Sequence, residues 1–197
     1  MKKVILIGGS PYIGKSTASI TLASKLQYPC ISTDDIGSIL QTVTDINPMK
    51  GKNYLDYYAD SEKEQLIDDI VEYHKWHEKA IHTLIDVHST WSTPLVMEGW
   101  ALYPSKHAMI SNDNVFSVWL IAEEGLLKER LLKDNGFYQN AKNPEKVLEN
   151  YLYRSEWYNQ KVWEECREGS YNHIIVKNET TREEIVETIL AMIKGGF

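Results

Sequence analysis

The chain of 197 residues has little of three things: cysteine, positive charge and long apolar runs. Its two cysteines, Cys30 and Cys166, make neither a disulfide framework nor a metal site, which favours a reducing setting. Its 28 acidic residues outnumber 21 basic ones, and the net charge of −7 argues against general binding to nucleic acids or anionic membranes. No segment approaches the roughly 18 continuous apolar residues of a membrane span.

The length and the composition also limit the location and the kinds of partner that we expect for the protein. The length suits one domain, residues 1–197, with a sizeable core. We expect a cytoplasmic protein, monomer or homodimer, that binds a small molecule and neither nucleic acid nor membrane. Because the chain is acidic, any anionic ligand must be held by local positive groups.

A glycine-rich segment follows the first apolar run, residues 4–7. It reads Gly9, Ser10, Pro11, Tyr12, Ile13, Gly14, Lys15, Ser16, Thr17. Two glycines separated by four residues, then Lys and Ser, between a strand-like and a helix-like run, are typical of a Walker A phosphate-binding loop. Backbone N–H groups and the helix dipole there suit an anion. The alternative is a glycine-rich turn without a ligand.

The loop predicts a nucleotide-binding site for ATP and Mg²⁺, with all of residues 9–17 around the phosphates. Lys15 would reach the β- and γ-phosphates, and the Ser16 hydroxyl would ligate Mg²⁺. A later strand, residues 94–100, contains Glu98 before a glycine. A carboxylate at the end of such a strand can hold Mg²⁺ or its waters, so Glu98 is the second candidate metal ligand, and a surface acid is the alternative.

Two further carboxylates, Asp34 and Asp35, follow the second predicted strand, residues 28–32. Ligands of α/β proteins bind at the carboxyl ends of the strands, which favours a functional position for one of them. Aspartate also caps helices, and the next helix is predicted over 36–43. We predict that Asp35 is the cap or first-turn carboxylate and that Asp34 faces the ligand.

The middle of the chain predicts a helical insert. Residues 44–60 have no clear period and predict a loop, in which Lys50 and Lys52 are either surface lysines or ligands of an anionic acceptor. Residues 61–64 (Ser-Glu-Lys-Glu) resemble a capping box that opens a long helix. Its apolar stripe includes His77 and His88, which predicts two core histidines. We also expect Cys30 to lie in the core.

The last third alternates strands and helices again. Strands are predicted over 114–122 and 173–176, and helices over 123–133, from Asn143-Pro144 onward, and from a capping box at 181–184. The segment between the first two helices is a natural lid, and Arg130 and Arg154 beside it are candidates for binding the transferring phosphoryl group. Surface ion pairs are the alternative for both. Five strands alternating with helices indicate an α/β fold with one parallel sheet.

With these pieces in order, the chain resembles the P-loop small-molecule kinases of the nucleoside-monophosphate-kinase type. The resemblance implies a three-layer fold with a five-stranded parallel sheet in 2-3-1-4-5 order, a helical acceptor insert (44–92) and an arginine-bearing lid (134–156). Segments 5–17, 31–34 and 98–104 are most similar to the 2-phosphoglycerate kinases. Where that family has a histidine two residues after the glycine, this chain has Ala101.

The leading functional hypothesis is an ATP-dependent, Mg²⁺-requiring phosphotransferase that acts on a small hydroxylated metabolite, 2-phosphoglycerate-like by resemblance. Lys15, Asp34, Arg130 and Arg154 are the predicted catalytic residues, with Asp34 orienting or deprotonating the acceptor hydroxyl. The alternative hypothesis is a regulatory or binding protein that hydrolyses ATP slowly.

Overall fold

The computed structural model describes residues 2–45, 47–108, 110, 112–134 and 136–195. Its centre is a five-stranded parallel sheet with strand order 2-3-1-4-5, which confirms the expected fold class. The strands are β1 (Val4–Gly9), β2 (Cys30–Ser32), β3 (Leu95–Gly99), β4 (Val115–Ala122) and β5 (His173–Val176).

Helices pack on both faces of this sheet and make it the middle of three layers. Within the described residues they are α1 (Lys15–Leu26), α2 (Thr33–Val43), α3 (Tyr54–Asp60), α4 (Lys63–Thr90), α5 (Pro104–His107), α6 (Leu126–Lys133), α7 (Pro144–Gly169) and α8 (Arg182–Gly195). No helix of the described residues combines the length and the apolarity that a membrane crossing requires.

Alternate side chains of β1 point to opposite faces of the sheet, so this strand contributes to the hydrophobic core on both sides. All six residues of β1 are buried, as expected for a central strand of a parallel sheet. Ile5 and Ile7 join the apolar cluster that contains α1 and α8, while Val4 and Leu6 join the cluster that contains α2 and α4. A period of two in a continuously apolar strand therefore supplies both faces of the sheet.

The carboxyl ends of β1, β2 and β3 meet at one edge of the sheet. In the register of the ladders, Ile7 lies beside Glu98, and Glu98 lies beside Ser32. The segments that leave these three strands consequently start from neighbouring points. They are the phosphate loop, the Asp34 turn and the segment after Glu98.

The expectation of an irregular segment over 44–60 is wrong for its second half, because α3 lies there. Asn53 caps α3 by accepting a hydrogen bond from the backbone N–H of Asp56. Seven residues show less than two helical periods, so the apolar pattern is too short to predict the helix. The short helix α5 was not predicted for the same reason.

The predicted capping box at 61–64 is also wrong. The Ser61 hydroxyl donates to the backbone carbonyl of Tyr57 and so belongs to the end of α3. Glu62 is the N-cap of α4, and its side chain makes no capping hydrogen bond. The box predicted at the last helix is confirmed, since Thr181 and Glu184 bond each other's backbone N–H groups.

Two burial predictions need correction. His77 is buried on α4 as expected, but His88 is only half-buried because the buried stripe has turned to Ile85 and Ser89 by that point of the helix. Cys30 is exposed rather than in the core, since β2 is an edge strand. His74, which the sequence did not assign to the stripe, is buried instead.

Asn150, on α7, connects this helix to the link between α3 and α4. Its side-chain amide is fully buried and donates to the backbone carbonyls of Tyr58 and Ser61, at 2.8 Å each. The two carbonyls lie at the end of α3 and in the link to α4. One side chain thus satisfies two backbone acceptors that a helix end leaves open.

We expect Asn150→Ala to destabilise the fold by about 1–3 kcal/mol, because it leaves buried carbonyls without donors. Urea denaturation of the purified variant measures this change. Asn140→Ala, at an exposed position, is the matched control and should stay within about 0.5 kcal/mol of the wild type. Equal stability of the two variants would contradict the role given to Asn150.

Candidate active site

The phosphate loop runs from the end of β1 to the start of α1 and needs both of its glycines. A Cβ on Gly9, whose φ is +137°, would lie 2.5 Å from the carbonyl oxygen of Leu120. Gly14, with φ +94°, is the N-cap of α1 and supplies no side chain to cap the helix. The first N–H groups of α1 are therefore left without a side-chain cap, as an anion-binding loop requires.

Lys15 is buried at the foot of this loop. Its Nζ donates to the carbonyl oxygen of Ser10 at 2.8 Å, and only 8% of the residue is exposed. Burial lowers the pKa of Lys15, while the nearby charges of Glu98 and Asp34 oppose that change. Three residues predicted as functional are thus close enough to act on one another.

Ser16 and Glu98 form the candidate metal pair. The Ser16 hydroxyl donates to Glu98 Oε1 at 3.0 Å, and Glu98 is 5% exposed at the end of β3. A hydroxyl and a carboxylate are the oxygen ligands that Mg²⁺ accepts beside nucleotide phosphates. Their chemistry and their place beside the loop fit the predicted metal.

Asp35 has the capping role that was predicted for it, while the ligand-facing role of Asp34 remains a prediction. Asp35 completes a capping box on α2 with Ser32, the N-cap residue. Asp34 Oδ1 accepts a hydrogen bond of 2.9 Å from the indole Nε1 of Trp100. Its Oδ2 has no hydrogen bond within the described part of the chain. Asp34 is therefore the carboxylate that is left for a ligand.

Arg130 lies against the phosphate loop. Its Nη1 donates to the carbonyl oxygens of Tyr12, at 3.2 Å, and Ile13, at 3.0 Å. The Tyr12 hydroxyl in turn donates to Asp134 Oδ2 at 2.8 Å. Neither of the two candidate arginines, Arg130 and Arg154, forms a salt bridge with any described residue. Their predicted contact with the phosphoryl group remains a prediction.

Arg154 is a buried cation inside an aromatic cage. Its guanidinium carbon lies 4.5 Å from the ring of Trp100, 4.8 Å from Tyr58 and 5.3 Å from Tyr151. The residue is 8% exposed, and its buried Nε has no hydrogen-bond partner among the described residues. A guanidinium is always charged and has five N–H donors, so this one is available to an anion.

A half-open pocket of about 140 Å³ lies over this cage. Because it is lined by the insert that is predicted to bind the acceptor, we call it the acceptor pocket. It is lined by Tyr54, Tyr57, Tyr58, Tyr73, Trp100, Asp69, Arg154 and four further side chains. Asp69 is engaged by Lys50, at 2.8 Å, and by the Tyr57 hydroxyl, at 3.0 Å. Lys52 pairs with Asp60 instead, so Lys50 and Lys52 are both used in ion pairs.

Sequence reasoning missed most of the lining of this pocket. The richness of residues 54–100 in Tyr and Trp was the only signal, and it does not say which rings share a cavity. The rings come from α3, α4 and the residue after β3, which are far apart in sequence. Trp100 is the most informative of the missed residues, because it contacts both Asp34 and Arg154.

One buried hydrogen bond connects the phosphate loop with the acceptor pocket. The Ser10 hydroxyl donates to the carbonyl oxygen of Ser155 at 2.9 Å, and Ser155 follows Arg154 on α7. The T-shaped contact of the Tyr12 and Tyr151 rings, 5.8 Å apart, strengthens the same junction. The loop and the arginine are thus held at a set spacing.

Comparison with known proteins gives structural neighbours only. No protein-family model and no curated protein matches the chain. Solved structures match over nearly all of it: the shikimate kinase from Bacteroides thetaiotaomicron is 13% identical, with a TM-score of 0.57, over 97% of this chain and 98% of that one. The gluconokinase from Sinorhizobium meliloti 1021 is 18% identical, with a TM-score of 0.53, over 99% and 94%.

A third neighbour is the Acinetobacter baumannii shikimate kinase in complex with shikimate, 16% identical with a TM-score of 0.53, over 100% of this chain and 95% of that one. All three are P-loop kinases of small molecules. At these identities the likeness establishes the architecture: the chain has the P-loop small-molecule kinase fold, with its phosphate loop and five-stranded sheet. None of the three is a 2-phosphoglycerate kinase.

If the loop binds ATP as predicted, we expect Lys15→Met to lower ATP-dependent turnover by about 10²–10³-fold, since it removes the buried cation that is predicted to contact the phosphates. ATP affinity by calorimetry and turnover by a coupled assay measure the effect. Lys25→Met, at the other end of α1 and paired with Glu187 on the surface, is the control and should leave both unchanged. Wild-type turnover in the Lys15 variant would remove this lysine from the site.

Proposed function

We propose that the protein is an ATP-dependent kinase that transfers the γ-phosphoryl group of ATP to a hydroxyl of a small metabolite. One observation carries the proposal: the phosphate loop, with its buried Lys15, and the half-open acceptor pocket are joined through the hydrogen bond between Ser10 and Ser155. A protein that only binds or hydrolyses a nucleotide has no need of the second cavity. The P-loop kinase fold supports the same conclusion.

The donor half uses residues of the loop and of β3. Lys15 and the N–H groups of residues 9–17 bind and orient the phosphates, and Lys15 offsets charge on the transferring group. Ser16 and Glu98 would hold Mg²⁺. When bound, Mg²⁺ neutralises charge on the phosphate oxygens. Arg130 supports the loop through two of its carbonyls and is a second cation near the phosphates.

The acceptor half uses Asp34 and Arg154. Asp34 accepts a hydrogen bond from Trp100 through Oδ1, which leaves Oδ2 for the acceptor hydroxyl. In this role Asp34 orients that hydroxyl and takes its proton as the new O–P bond forms. The helical insert, residues 44–92, builds the walls of the pocket, and the region 134–156 is the proposed lid.

The charges of the pocket favour an acceptor with a single negative group. Arg154 is the one cation in the lining, and Asp69 and the adjacent Asp34 are both acidic. Burial lowers the pKa of His74, next to the cage, well below its usual value, so that ring adds no charge. A compact hydroxy carboxylate fits this balance better than 2-phosphoglycerate, which carries a phosphate as well. Shikimate, with which one of the structural neighbours is in complex, is a hydroxy carboxylate.

Acceptor-stimulated ATP consumption tests the proposed function. We expect a panel of monoanionic hydroxy acids to stimulate turnover at least tenfold over the basal rate. Phosphorylated hydroxy acids, including 2-phosphoglycerate, and neutral polyols should stimulate it less. Coupled ADP release, followed by detection of the phosphorylated product, is the measurement.

The variant Arg154→Met is the control of this screen, because it keeps the length of the side chain and removes the charge. It should lose stimulation by hydroxy acids and keep the affinity for ATP. If no metabolite stimulates ATP consumption and hydrolysis stays slow, the nucleotide-dependent regulator is the better description. Monomeric or homodimeric state and cytoplasmic location remain part of the proposal and need separate measurements.

We expect Asp34→Asn to lower phosphoryl transfer by about 10²–10⁴-fold and to leave ATP binding nearly intact. The amide keeps the shape of the side chain but cannot take a proton. Asp35→Asn, which changes the neighbouring cap of α2, should cost stability and little transfer. Turnover at the wild-type rate in the Asp34 variant would remove it from the mechanism.

A further inference from the structure

We propose that Trp100 is a positioning residue that joins the two ends of the acceptor pocket. Its indole N–H sets the orientation of Asp34, and its ring face holds Arg154. The inference rests on the proposed function and adds a residue that the loop motif and the fold do not assign. In this inference, one side chain controls both the orientation of the acceptor and the binding of its anionic group.

The first contact is a hydrogen bond with only one possible direction. Trp100 Nε1 lies 2.9 Å from Asp34 Oδ1, and an indole can donate but not accept. The bond therefore runs from the indole to the carboxylate oxygen and fixes the rotation of the Asp34 side chain. Because it occupies Oδ1, Oδ2 is the oxygen that meets the acceptor hydroxyl.

The second contact is between the ring face and the guanidinium. Trp100 is the nearest of the three rings around Arg154, at 4.5 Å, and tryptophan is the best aromatic partner for a cation. The described residues provide no carboxylate partner for this guanidinium. The ring therefore holds Arg154 without neutralising it, and leaves its charge for an anionic ligand.

Contacts of the backbone and of the ring fix the position of Trp100. The preceding Gly99 has φ +150°, and a Cβ there would lie 1.8 Å from the hydroxyl of Thr33, so only glycine fits at the turn that places Trp100. The Trp100 carbonyl accepts a hydrogen bond from the Tyr158 hydroxyl. The His74 ring packs edge-on, 4.6 Å from the Trp100 ring. A side chain fixed on three sides can hold two other groups in place.

Two substitutions separate the two contacts. Trp100→Phe keeps an aromatic face for Arg154 and removes the N–H. We expect kcat to fall about tenfold or more, with KM for the hydroxy acid within about twofold, because the carboxylate loses its orientation and the anion site is kept. Trp100→Leu removes both contacts, and we expect KM to rise about tenfold in addition.

Two further variants complete the kinetic test. Trp91→Phe, at an exposed tryptophan after α4, should behave as wild type. In an Asp34→Ala background, Trp100→Phe should have no further effect on kcat, because the partner is gone. An unchanged kcat in Trp100→Phe would overturn the first contact, and an unchanged KM in Trp100→Leu would overturn the second.

A measurement without turnover separates this inference from the proposed function. The six tryptophans give six indole N–H signals in a ¹H–¹⁵N spectrum, and Trp100→Phe identifies the one from Trp100. Asp34→Ala should shift this signal and leave that of Trp91 in place. If it does not shift, Trp100 does not hold Asp34, whatever the enzyme phosphorylates. If it shifts while no acceptor stimulates ATP consumption, only the proposed function fails.

Discussion

The buried positive charge of Lys15, at the end of the phosphate loop, requires compensating groups from the surrounding structure. Lys15 has lost most of its water, and its Nζ is held by a backbone carbonyl and by the field of two carboxylates, Glu98 and Asp34. Glu98 lies near the end of β3, next to β1, and Asp34 follows β2, one strand further out on the same side, because the sheet has the order 2-3-1-4-5. The strand order thus places the compensating charges.

A second buried cation organises the other half of the site in a different way. Arg154 is surrounded by aromatic rings rather than by carboxylates, so its charge is stabilised without being neutralised. Lys15 and Arg154 lie on different elements, and the Ser10–Ser155 hydrogen bond ties these elements together. Two cations with different surroundings suit two ligands of different charge, a polyphosphate and a compact anion.

The sequence predicted the elements that have strong local signals. The loop 9–17, the order of strands and helices, the cap at Asn143 and the capping box at Thr181 all follow from short patterns whose geometry is set by neighbouring residues. Predictions failed where the pattern was shorter than two helical turns, as in α3. They also failed where burial depends on the position of a strand in the sheet, as for Cys30 at the edge.

The sequence by itself determined that the chain has a phosphate loop at the end of its first strand, and that acids follow the next two strands. Glycine spacing and strand ends are local, so they can be seen without coordinates. Only the tertiary structure decided what faces those acids. The acceptor pocket combines rings from α3, α4 and the turn after β3 with Arg154 from α7, and no periodicity shows that Trp100 meets both Asp34 and Arg154. Such contacts depend on how distant elements pack, which is a property of the whole fold.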